Sequence, residues 1–230
     1  MNLPQHYLAV LMPVYNEAAT IEEIIRRVLS QPMVFEVIII DDGSTDGTTT
    51  ILDRLAAAES RLKVLRHSRN QGKGAAIRTG IASVTAPVTV IQDADLEYDP
   101  NEYHELLAPI LSGRADAVFG SRFVGGQAHR VLYFWHMAAN RLLTLLSNMR
   151  TNLNLTDMEC GHKAFVTEKL RAMRLRENGF GIEPEFAAQA SRLALRLYEV
   201  GVSYGGRTYA EGKKITWRDA FDALRAIILR

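Results

Sequence analysis

Two aspartates separated by a single residue, Asp93 and Asp95, are the strongest candidates for chemistry in this sequence. They follow the apolar run Val88–Ile91, which is typical of a buried strand. Two carboxylates this close, on one face of a strand or in the turn after it, can converge on a cation. Mg²⁺ binds through one or two carboxylates plus substrate phosphates. We therefore predict a metal site that holds a diphosphate, with a plain acidic turn as the alternative. Glu97 either joins that site or caps a helix.

A second acidic cluster, Asp41–Thr48, follows another apolar run, Val37–Ile40. At the end of a strand, a carboxylate such as that of Asp42 can accept a hydrogen bond from a base or a ribose. The alternative is a turn in which Ser44 or Asp46 caps the next helix. The two interpretations are compatible if Asp42 binds a ligand and the residues after it form the turn.

Strand-like and helix-like segments alternate through the first 120 residues. The predicted strands are 8–12, 37–40, 62–65, 88–91 and 117–119, and the predicted helices are 21–29, 46–58, 74–83 and one opening at Asp99-Pro100. Apolar strands that alternate with helices predict a mainly parallel central sheet with helices on both faces. In such sheets the ligand binds beyond the carboxyl ends of the strands, and the acidic clusters fall there.

The second half of the sequence is less regular. It contains a predicted helix at 131–149, a strand at 163–166, a helix at 185–194, a strand at 197–202 and an amphipathic helix from 216 onward. The first of these helices begins with Tyr133, Phe134 and Trp135. Both it and the last helix either bind a lipid surface or pack as ordinary core helices.

The charge is distributed unevenly along the chain of 230 residues, whose net charge is +1. Residues 1–120 hold 10 Lys/Arg and 16 Asp/Glu, which gives −6, and residues 121–230 hold 17 and 10, which gives +7. An acidic half suits a bound cation, and a basic half suits an anionic acceptor or an anionic membrane surface. Because the chain has no linker-like stretch and no internal repeat, we predict one domain.

Several classes of protein are excluded by composition. Cys160 is the only cysteine, so the chain has no intrachain disulfide and no cysteine-rich zinc site, which favours a reducing cytoplasmic location. Signal-peptide features and an apolar run of about 20 residues are both missing. Pro13–Glu17, after the first strand, contains no glycine and therefore no dinucleotide-binding fingerprint. We expect no nucleic-acid partner; work on a lipid would take place at the cytoplasmic face of a membrane, with or without a membrane-anchoring subunit.

Five short motifs occur in a fixed order along the chain. They are Pro13–Glu17, Asp41–Thr48, Asn70–Ala75, Asp93–Asp95 and Gly120–Arg122. The set resembles the family 2 glycosyltransferases of GT-A fold, and within them the dolichyl-phosphate mannose synthases and polyprenyl-phosphate glycosyltransferases. The resemblance implies a Rossmann-like α/β domain over residues 1–230. Its first 120 residues would bind a nucleotide-diphosphate sugar, and residues 121–230 would bind the acceptor and end in the amphipathic helix.

The resemblance also implies roles for individual residues. The nucleotide-sugar pocket would be lined by Pro13, Tyr15, Glu17, Asp42, Lys73, Asp93 and Ala94. Mg²⁺ or Mn²⁺ would be bound by Asp93 and Asp95, with Glu97 as the candidate third ligand. Arg122, Arg207 and Lys214 would bind an acceptor phosphate, which a guanidinium can do through two nitrogens. The loop from Arg207 to Lys214 is longer than the Arg-x-x-Gly-x-Ser-Lys of the relatives, and a solvated basic loop is the alternative.

The predicted reaction is a direct displacement at the anomeric carbon with inversion, from GDP-mannose or a UDP-sugar to a polyprenyl or dolichyl phosphate. Asp95, Asp157 and Arg122 are the predicted catalytic residues. A phosphate acceptor is already anionic, so Asp157 would only position it or order its loop. A hydroxyl acceptor on a sugar or protein needs a general base, for which Asp157 is the first candidate and Glu159 the second. That transferase, and a non-catalytic nucleotide-sugar-binding module, are the alternative functions.

Overall fold

The computed structural model describes residues 6–208, apart from 127, 129 and 132, and residues 217–229, of which 217–219 are described by their backbone alone. Within these ranges seven strands form one sheet in the order β3-β2-β1-β4-β6-β5-β7. The strands are β1 (Leu8–Val14), β2 (Val34–Asp41), β3 (Leu62–Arg66), β4 (Val88–Ile91), β5 (Ala117–Ser121), β6 (Lys163–Val166) and β7 (Leu197–Gly201). The sheet is parallel except for β6, so the prediction of a mainly parallel sheet is confirmed.

Eight α-helices are present in the described part of the chain. They are α1 (Ile21–Leu29), α2 (Thr48–Ala58), α3 (Lys73–Ile81), α4 (Tyr103–Leu111), α5 (Phe134–Thr151), α6 (Thr167–Ala172), α7 (Ile182–Arg192) and α8 (Trp217–Leu229). Pro100–Glu102 forms a short 3-10 turn before α4, and Asp99 caps it by accepting the N–H of Asn101. None of the helices in the described ranges is both long enough and apolar enough to cross a bilayer.

Both faces of the sheet are buried because successive side chains of a strand point to opposite sides. In β1, Leu8, Val10 and Met12 belong to one apolar core, and Ala9 and Leu11 belong to the other. Helices α1, α2 and α4 contribute to the first core, and α3, α6, α7 and α8 to the second. This two-sided burial is why the strands read as continuous apolar runs in the sequence.

The antiparallel strand β6 determines how the two halves of the chain meet. It lies between β4 and β5, and its first residue, Lys163, pairs with Ile91 and with Phe119 near the carboxyl ends of those strands. The segment that leads into β6, residues 157–162, therefore arrives at the same edge of the sheet as the Asp93–Asp95 turn. The sequence predicted the strand at 163–166 but not its direction.

Two glycines at the start of α3 allow another segment to approach closely. A Cβ atom on Gly74 would lie 2.2 Å from the carbonyl oxygen of Glu177, and one on Gly72 would lie 2.4 Å from that of Asn178. Gly72 also has a φ of +99°, a backbone conformation that favours glycine. The glycines of the Asn70–Ala75 motif thus hold the chain before α7 against the beginning of α3.

We expect Gly74→Ala to lower the free energy of unfolding by about 1–3 kcal/mol, because relieving the contact with the Glu177 carbonyl requires a backbone shift that outweighs the better helix propensity of alanine. Urea denaturation followed by circular dichroism measures this change. Gly126→Ala is the matched control, since a Cβ there meets nothing within 4 Å. Equal stability of the two variants would contradict this account of the motif.

Candidate active site

An open pocket of about 1610 Å³ lies at the carboxyl edge of the sheet. This exceeds the roughly 300–1,000 Å³ of ordinary small-molecule sites, so the pocket has room for a nucleotide sugar and an acceptor group together. Most of the residues predicted from the sequence line it, namely Pro13, Tyr15, Glu17, Asp42, Lys73, Asp93, Ala94, Asp95, Glu97, Arg122 and Arg207. Asp157 lies behind the pocket wall, in contact with Arg122. Lys214 lies outside the described residues.

Asp93 is paired with Lys73, the first residue of α3. The ammonium nitrogen of Lys73 is 2.8 Å from Oδ1 of Asp93 and 3.0 Å from Oε1 of Glu183 in α7. Although burial lowers the pKa of Lys73, the two carboxylates outweigh it and hold the pKa above its ordinary value, so the side chain is charged. A Cβ on Gly161 would lie 2.3 Å from Asp93, which explains why a glycine faces this pair.

Asp95 and Glu97 are paired with Arg207, which follows β7. The guanidinium of Arg207 is 3.3 Å from Oδ2 of Asp95 and 3.2 Å from a carboxylate oxygen of Glu17. The backbone N–H of Arg207 donates to Glu97, and so does the hydroxyl of Tyr204, both at 2.8 Å. Glu97 therefore anchors the segment that carries Arg207, a contact between positions 110 residues apart.

Negative charge is concentrated around Asp95. Burial, followed by the charges of Asp93 and Glu97, raises the pKa of Asp95 to about 7, while Arg207 opposes the rise. The intervening Leu96 has a φ of +63°, which is rare for a leucine and turns Glu97 back so that its N–H bonds to Asp95. The turn after β4 thus gathers carboxylates that repel one another and favour a nearby cation.

The residues present suit a hard divalent ion. Within the described part of the chain no cluster of three or more acidic, histidine or cysteine side chains is preassembled around a metal position. Asp93 and Asp95 offer two carboxylates to the pocket, which is the number that Mg²⁺ uses when phosphates and water complete its shell. The oxygen chemistry of this site therefore fits Mg²⁺ or Mn²⁺ bound together with a diphosphate.

Asp42 is buried at the end of β2 and orients the start of α3. Its carboxylate accepts the N–H groups of Gln71 and Gly72, at 2.9 Å and 2.7 Å, and lies 2.6 Å from Nδ1 of His67. It also lines the pocket. The turn that follows is structural, since Asp46 accepts the N–H of Thr48 at the start of α2.

Arg122 and Asp157 form a buried bidentate ion pair. Nε and Nη2 of Arg122 lie 2.6 Å and 2.7 Å from the two oxygens of Asp157, and Asn140 donates to the same carboxylate at 3.0 Å. Burial raises the pKa of Asp157, but Arg122 outweighs it and keeps the pKa below its ordinary value. The guanidinium also lies 5.0 Å from the ring of Tyr204. This arrangement suits Asp157 to holding Arg122 in place rather than to accepting a proton.

Glu159 is the carboxyl group in this part of the pocket that stays uncommitted. It lines the pocket, and its Oε1 is buried with no hydrogen-bond partner. Burial and, to a smaller extent, the charge of Glu183 raise the pKa of Glu159 to about 7, against the opposing charges of Lys163 and Arg122. A carboxyl group in this state can both donate and accept a proton near neutral pH.

Two residues near Glu159, His162 and Cys160, are buried in environments that suit a structural role. His162 is buried between the rings of Tyr98 and Tyr103, with centroid distances of 5.3 Å and 5.6 Å, and burial lowers its pKa to about 4. It is therefore a neutral packed ring. Burial likewise raises the pKa of Cys160 to about 11, which leaves the thiol unreactive.

The charged residues that sequence analysis missed are Lys163 and Glu183. Lys163 is fully buried, bonds to Glu183 and lies 4.8 Å from the ring centroid of Phe119. Glu183 in turn reaches Lys73. No local signal reveals a contact between residues on different elements, so only the tertiary structure identifies this pair.

Apolar side chains form an exposed rim beside the pocket. Val131, Phe134 and Trp135 are 86%, 63% and 78% exposed, and all three line the pocket mouth. The outer side of α5 continues the apolar surface through Leu142, Leu145 and Met149. The predicted helix at 131–149 thus begins at Phe134 and leaves a large apolar side in solvent, where an ordinary core helix would bury it.

The sheet order and the pocket at the carboxyl edge of the sheet are those of a GT-A fold. Residues 9–176 match the family described as glycosyl transferase family 2, so the chain belongs to that family. Its fold is that of glucosyl-3-phosphoglycerate synthase from Mycobacterium tuberculosis, solved with Mn²⁺, uridine diphosphate and phosphoglyceric acid. The TM-score is 0.73 at 22% identity, over 97% of this chain and 78% of that one. The GT-A fold expected from the sequence is therefore confirmed.

The chain is also similar in sequence to named glycosyltransferases, one of which is named for a lipid phosphate. The chain is 31% identical to glycosyltransferase AglD of Haloferax volcanii, over 86% of this chain and 33% of the relative. It is 29% identical to glycosyltransferase AglJ of the same organism, over 86% and 62%. It is 28% identical to the undecaprenyl-phosphate mannosyltransferase of Micrococcus luteus, over 88% and 85%. The chain thus spans a third of AglD and under two thirds of AglJ.

The raised pKa of Glu159 predicts how Glu159→Gln changes stability with pH. Between its ordinary value of 4.5 and about 7, the folded protein keeps a proton that the unfolded chain has lost, so wild-type stability falls as pH rises. Glutamine has no such proton. Between roughly pH 4.5 and pH 8, we expect the unfolding free energy of the variant to rise by about 3 kcal/mol relative to that of wild type, since each pKa unit is worth about 1.4 kcal/mol.

Urea denaturation of both proteins across this pH range measures the difference. Glu105→Gln, on the exposed surface of α4, controls for the loss of one carboxyl group. A difference between Glu159→Gln and wild type that stays constant with pH would show that Glu159 is charged and well solvated.

Proposed function

We propose that this chain transfers a sugar from a nucleotide-diphosphate donor to a polyprenyl phosphate, with Mg²⁺ or Mn²⁺ at Asp93 and Asp95. One observation carries the proposal: the predicted donor carboxylates and the predicted acceptor arginine, Arg122, line a single pocket. The names of relatives support the acceptor class, since several are undecaprenyl-phosphate, polyprenol or dolichol-phosphate sugar transferases. The solved structures of similar fold with Mn²⁺ and UDP support the donor class and the metal.

The donor side of the pocket is suited to a nucleotide diphosphate. Asp42 and Glu17 line the pocket, and we assign them to the base and ribose. The cations Lys73 and Arg207 lie next to the aspartates, so we assign both to the diphosphate, although the resemblance had implied an acceptor phosphate for Arg207. A divalent ion bound there would neutralise charge on the leaving nucleoside diphosphate. The side chains of Lys73 and Arg207 would add further positive charge to the same oxygens and would stabilise the leaving group.

The acceptor side is suited to an anion. Arg122 is held by Asp157, whose carboxylate also accepts a hydrogen bond from Asn140. A guanidinium fixed in this way binds a phosphate without having to be ordered first. An oxygen of the acceptor phosphate attacks the anomeric carbon from the face opposite the leaving group. The bond from that carbon to the donor phosphate oxygen breaks, and the nucleoside diphosphate leaves with the electron pair. The attacking oxygen carries no proton, so no general base is needed.

A second candidate function is transfer to a sugar or protein hydroxyl, and Glu159 is the observation that favours it. A hydroxyl acceptor must lose a proton, and Glu159 lines the pocket with an unpartnered oxygen and a pKa of about 7. Asp157, the first candidate from the sequence, has both oxygens bonded to Arg122. Under this alternative the base is Glu159, and Glu159→Gln abolishes turnover; with a phosphate acceptor that variant retains it.

We expect Asp95→Ala and Asp93→Ala each to lower sugar transfer by at least about 10²-fold, because each removes a carboxylate of the proposed metal site that would hold the donor diphosphate. Purified protein is incubated with UDP- and GDP-sugars and undecaprenyl phosphate, with Mn²⁺, Mg²⁺ or EDTA, and the lipid product is counted. Arg196→Gln, at the opposite end of the sheet, is the control that keeps activity.

Two results would contradict the proposal. Activity that persists in EDTA and in both alanine variants would show that transfer does not depend on a metal at Asp93 and Asp95. Donor binding with neither transfer nor hydrolysis under any combination of sugar, metal and acceptor would favour a non-catalytic binding module.

The exposed rim suggests how the pocket reaches a lipid. We infer that the apolar residues at the pocket mouth and along α5 insert into the cytoplasmic face of an anionic membrane. The helix contains Arg141 and Arg150 at exposed positions and has no acidic residue, so its charge complements anionic lipid headgroups. A peripheral position of this kind would present the mouth of the pocket to a lipid phosphate without a spanning helix in the described residues.

We expect Trp135→Ser to weaken binding to vesicles of phosphatidylglycerol by about ten-fold, since burying a large aromatic side chain is worth roughly 1.5–3 kcal/mol. Vesicle flotation measures the bound fraction. Phe35→Ser, which removes an exposed aromatic at the other end of the sheet, is the matched control and should bind as wild type does. Equal loss in both variants, or none in either, would place the membrane contact elsewhere.

A further inference from the structure

Each carboxylate of the Asp93-Ala94-Asp95 motif already contacts a cationic side chain of the protein itself. Lys73 lies 2.8 Å from Asp93, and Arg207 lies 3.3 Å from Asp95. The two cations come from separate elements, one from the start of α3 and the other from the segment after β7. Neither is a neighbour in sequence of the aspartate that it contacts, so both pairs are products of the fold.

These contacts are in the pocket rather than in the core. Lys73, Arg207 and both aspartates line the pocket, and their side chains are between 11% and 21% exposed. The ion pair of Lys163 with Glu183 is different, because both side chains are essentially inaccessible and serve the interior. Ion pairs within reach of a pocket can exchange their partners for a ligand, whereas a fully buried pair cannot do so without unfolding.

A divalent cation on Asp93 and Asp95 competes with both side chains. Like charges at this distance repel strongly where solvent is partly excluded, so the ammonium of Lys73 and the guanidinium of Arg207 in their present positions weaken the binding of a metal ion to these carboxylates. A diphosphate brings new anionic oxygens to the same place. It therefore offers Lys73 and Arg207 alternative partners at the moment when the aspartates are taken by the metal.

We propose that Lys73 and Arg207 are built-in counter-ions, which neutralise the two aspartates until a metal–nucleotide pair arrives and then bind the diphosphate. This inference rests on the proposed function, since it presumes the metal site at those aspartates. Its consequence is that metal alone binds weakly and that metal and nucleotide strengthen each other's binding. The enzyme would thus avoid holding a divalent ion without its donor.

Arg207 offers the cleaner test of the two, because Lys73 also contacts the buried Glu183. In the absence of nucleotide, we expect Arg207→Gln to bind Mn²⁺ at least about ten-fold more tightly than wild type. A neighbouring guanidinium lowers the affinity of a carboxylate for a proton by about 10- to 10³-fold, and it opposes the binding of a metal cation for the same reason. With saturating Mn²⁺, the same variant should bind UDP or GDP about ten-fold more weakly. Lys73→Gln, where circular dichroism shows it folded, should follow the same pattern.

The free Mn²⁺ signal in electron paramagnetic resonance gives the metal affinity, and calorimetry gives the nucleotide affinity, both on the full chain. Arg207→Lys keeps the charge and should remain close to wild type in Mn²⁺ affinity. Arg196→Gln also removes an arginine that is paired with a carboxylate, Asp116, but far from the pocket, and should match wild type in both measurements. Opposite changes in the two affinities are the signature of a counter-ion, because an arginine with only a structural role would not strengthen metal binding when removed.

Asp95→Asn separates failure of this inference from failure of the proposed function. If Asp95→Asn loses Mn²⁺ while Arg207→Gln binds it as wild type does, or more weakly, the counter-ion role is overturned and the metal site stands. If Asp95→Asn binds Mn²⁺ as well as wild type does, the metal site itself is wrong, and with it the proposed function.

Discussion

The site depends on neutralising several carboxylates that the fold collects at one edge of the sheet. Glu17, Asp93, Asp95 and Glu97 come from the ends of β1 and β4, and Lys73 and Arg207 hold them together in the described structure. Without opposite charge nearby, these groups would repel one another or take up protons. The same concentration of negative charge favours a cation at this edge of the sheet, so the charges that the fold must neutralise are also those on which the proposed metal site depends.

The antiparallel strand β6 brings the acceptor side to this electrostatic centre. Because β6 starts at the edge where β4 and β5 end, the residues before it, including Asp157 and Glu159, lie beside Arg122 and the aspartates. Asp157 then holds Arg122, while Glu159 keeps an uncommitted oxygen. A wholly parallel arrangement would deliver that segment to the opposite edge of the sheet. One strand direction therefore decides whether Asp157 and Glu159 lie near Arg122.

The apolar surface of α5 lies beside the charged pocket and bears on which substrates suit it. An exposed apolar surface that continues into the mouth of a charged pocket fits a substrate with an anionic head and a long hydrocarbon chain, since each part meets its own environment. Several relatives are named as undecaprenyl-phosphate or dolichol-phosphate sugar transferases, which is consistent with the same chemistry. The physical character of the surface and the family resemblance thus support one substrate class independently.

The sequence by itself determined the fold family, the order of most strands and helices, and the motifs that line the pocket. It could do so because apolar periodicity and the polar residues at strand ends are local patterns. The direction of β6, the pairing of Lys73 with Asp93 and of Arg207 with Asp95, and the burial of Lys163 with Glu183 were decided only by the tertiary structure. These contacts join residues 20 to more than 100 positions apart, and their energies depend on distance and burial, which no local pattern encodes.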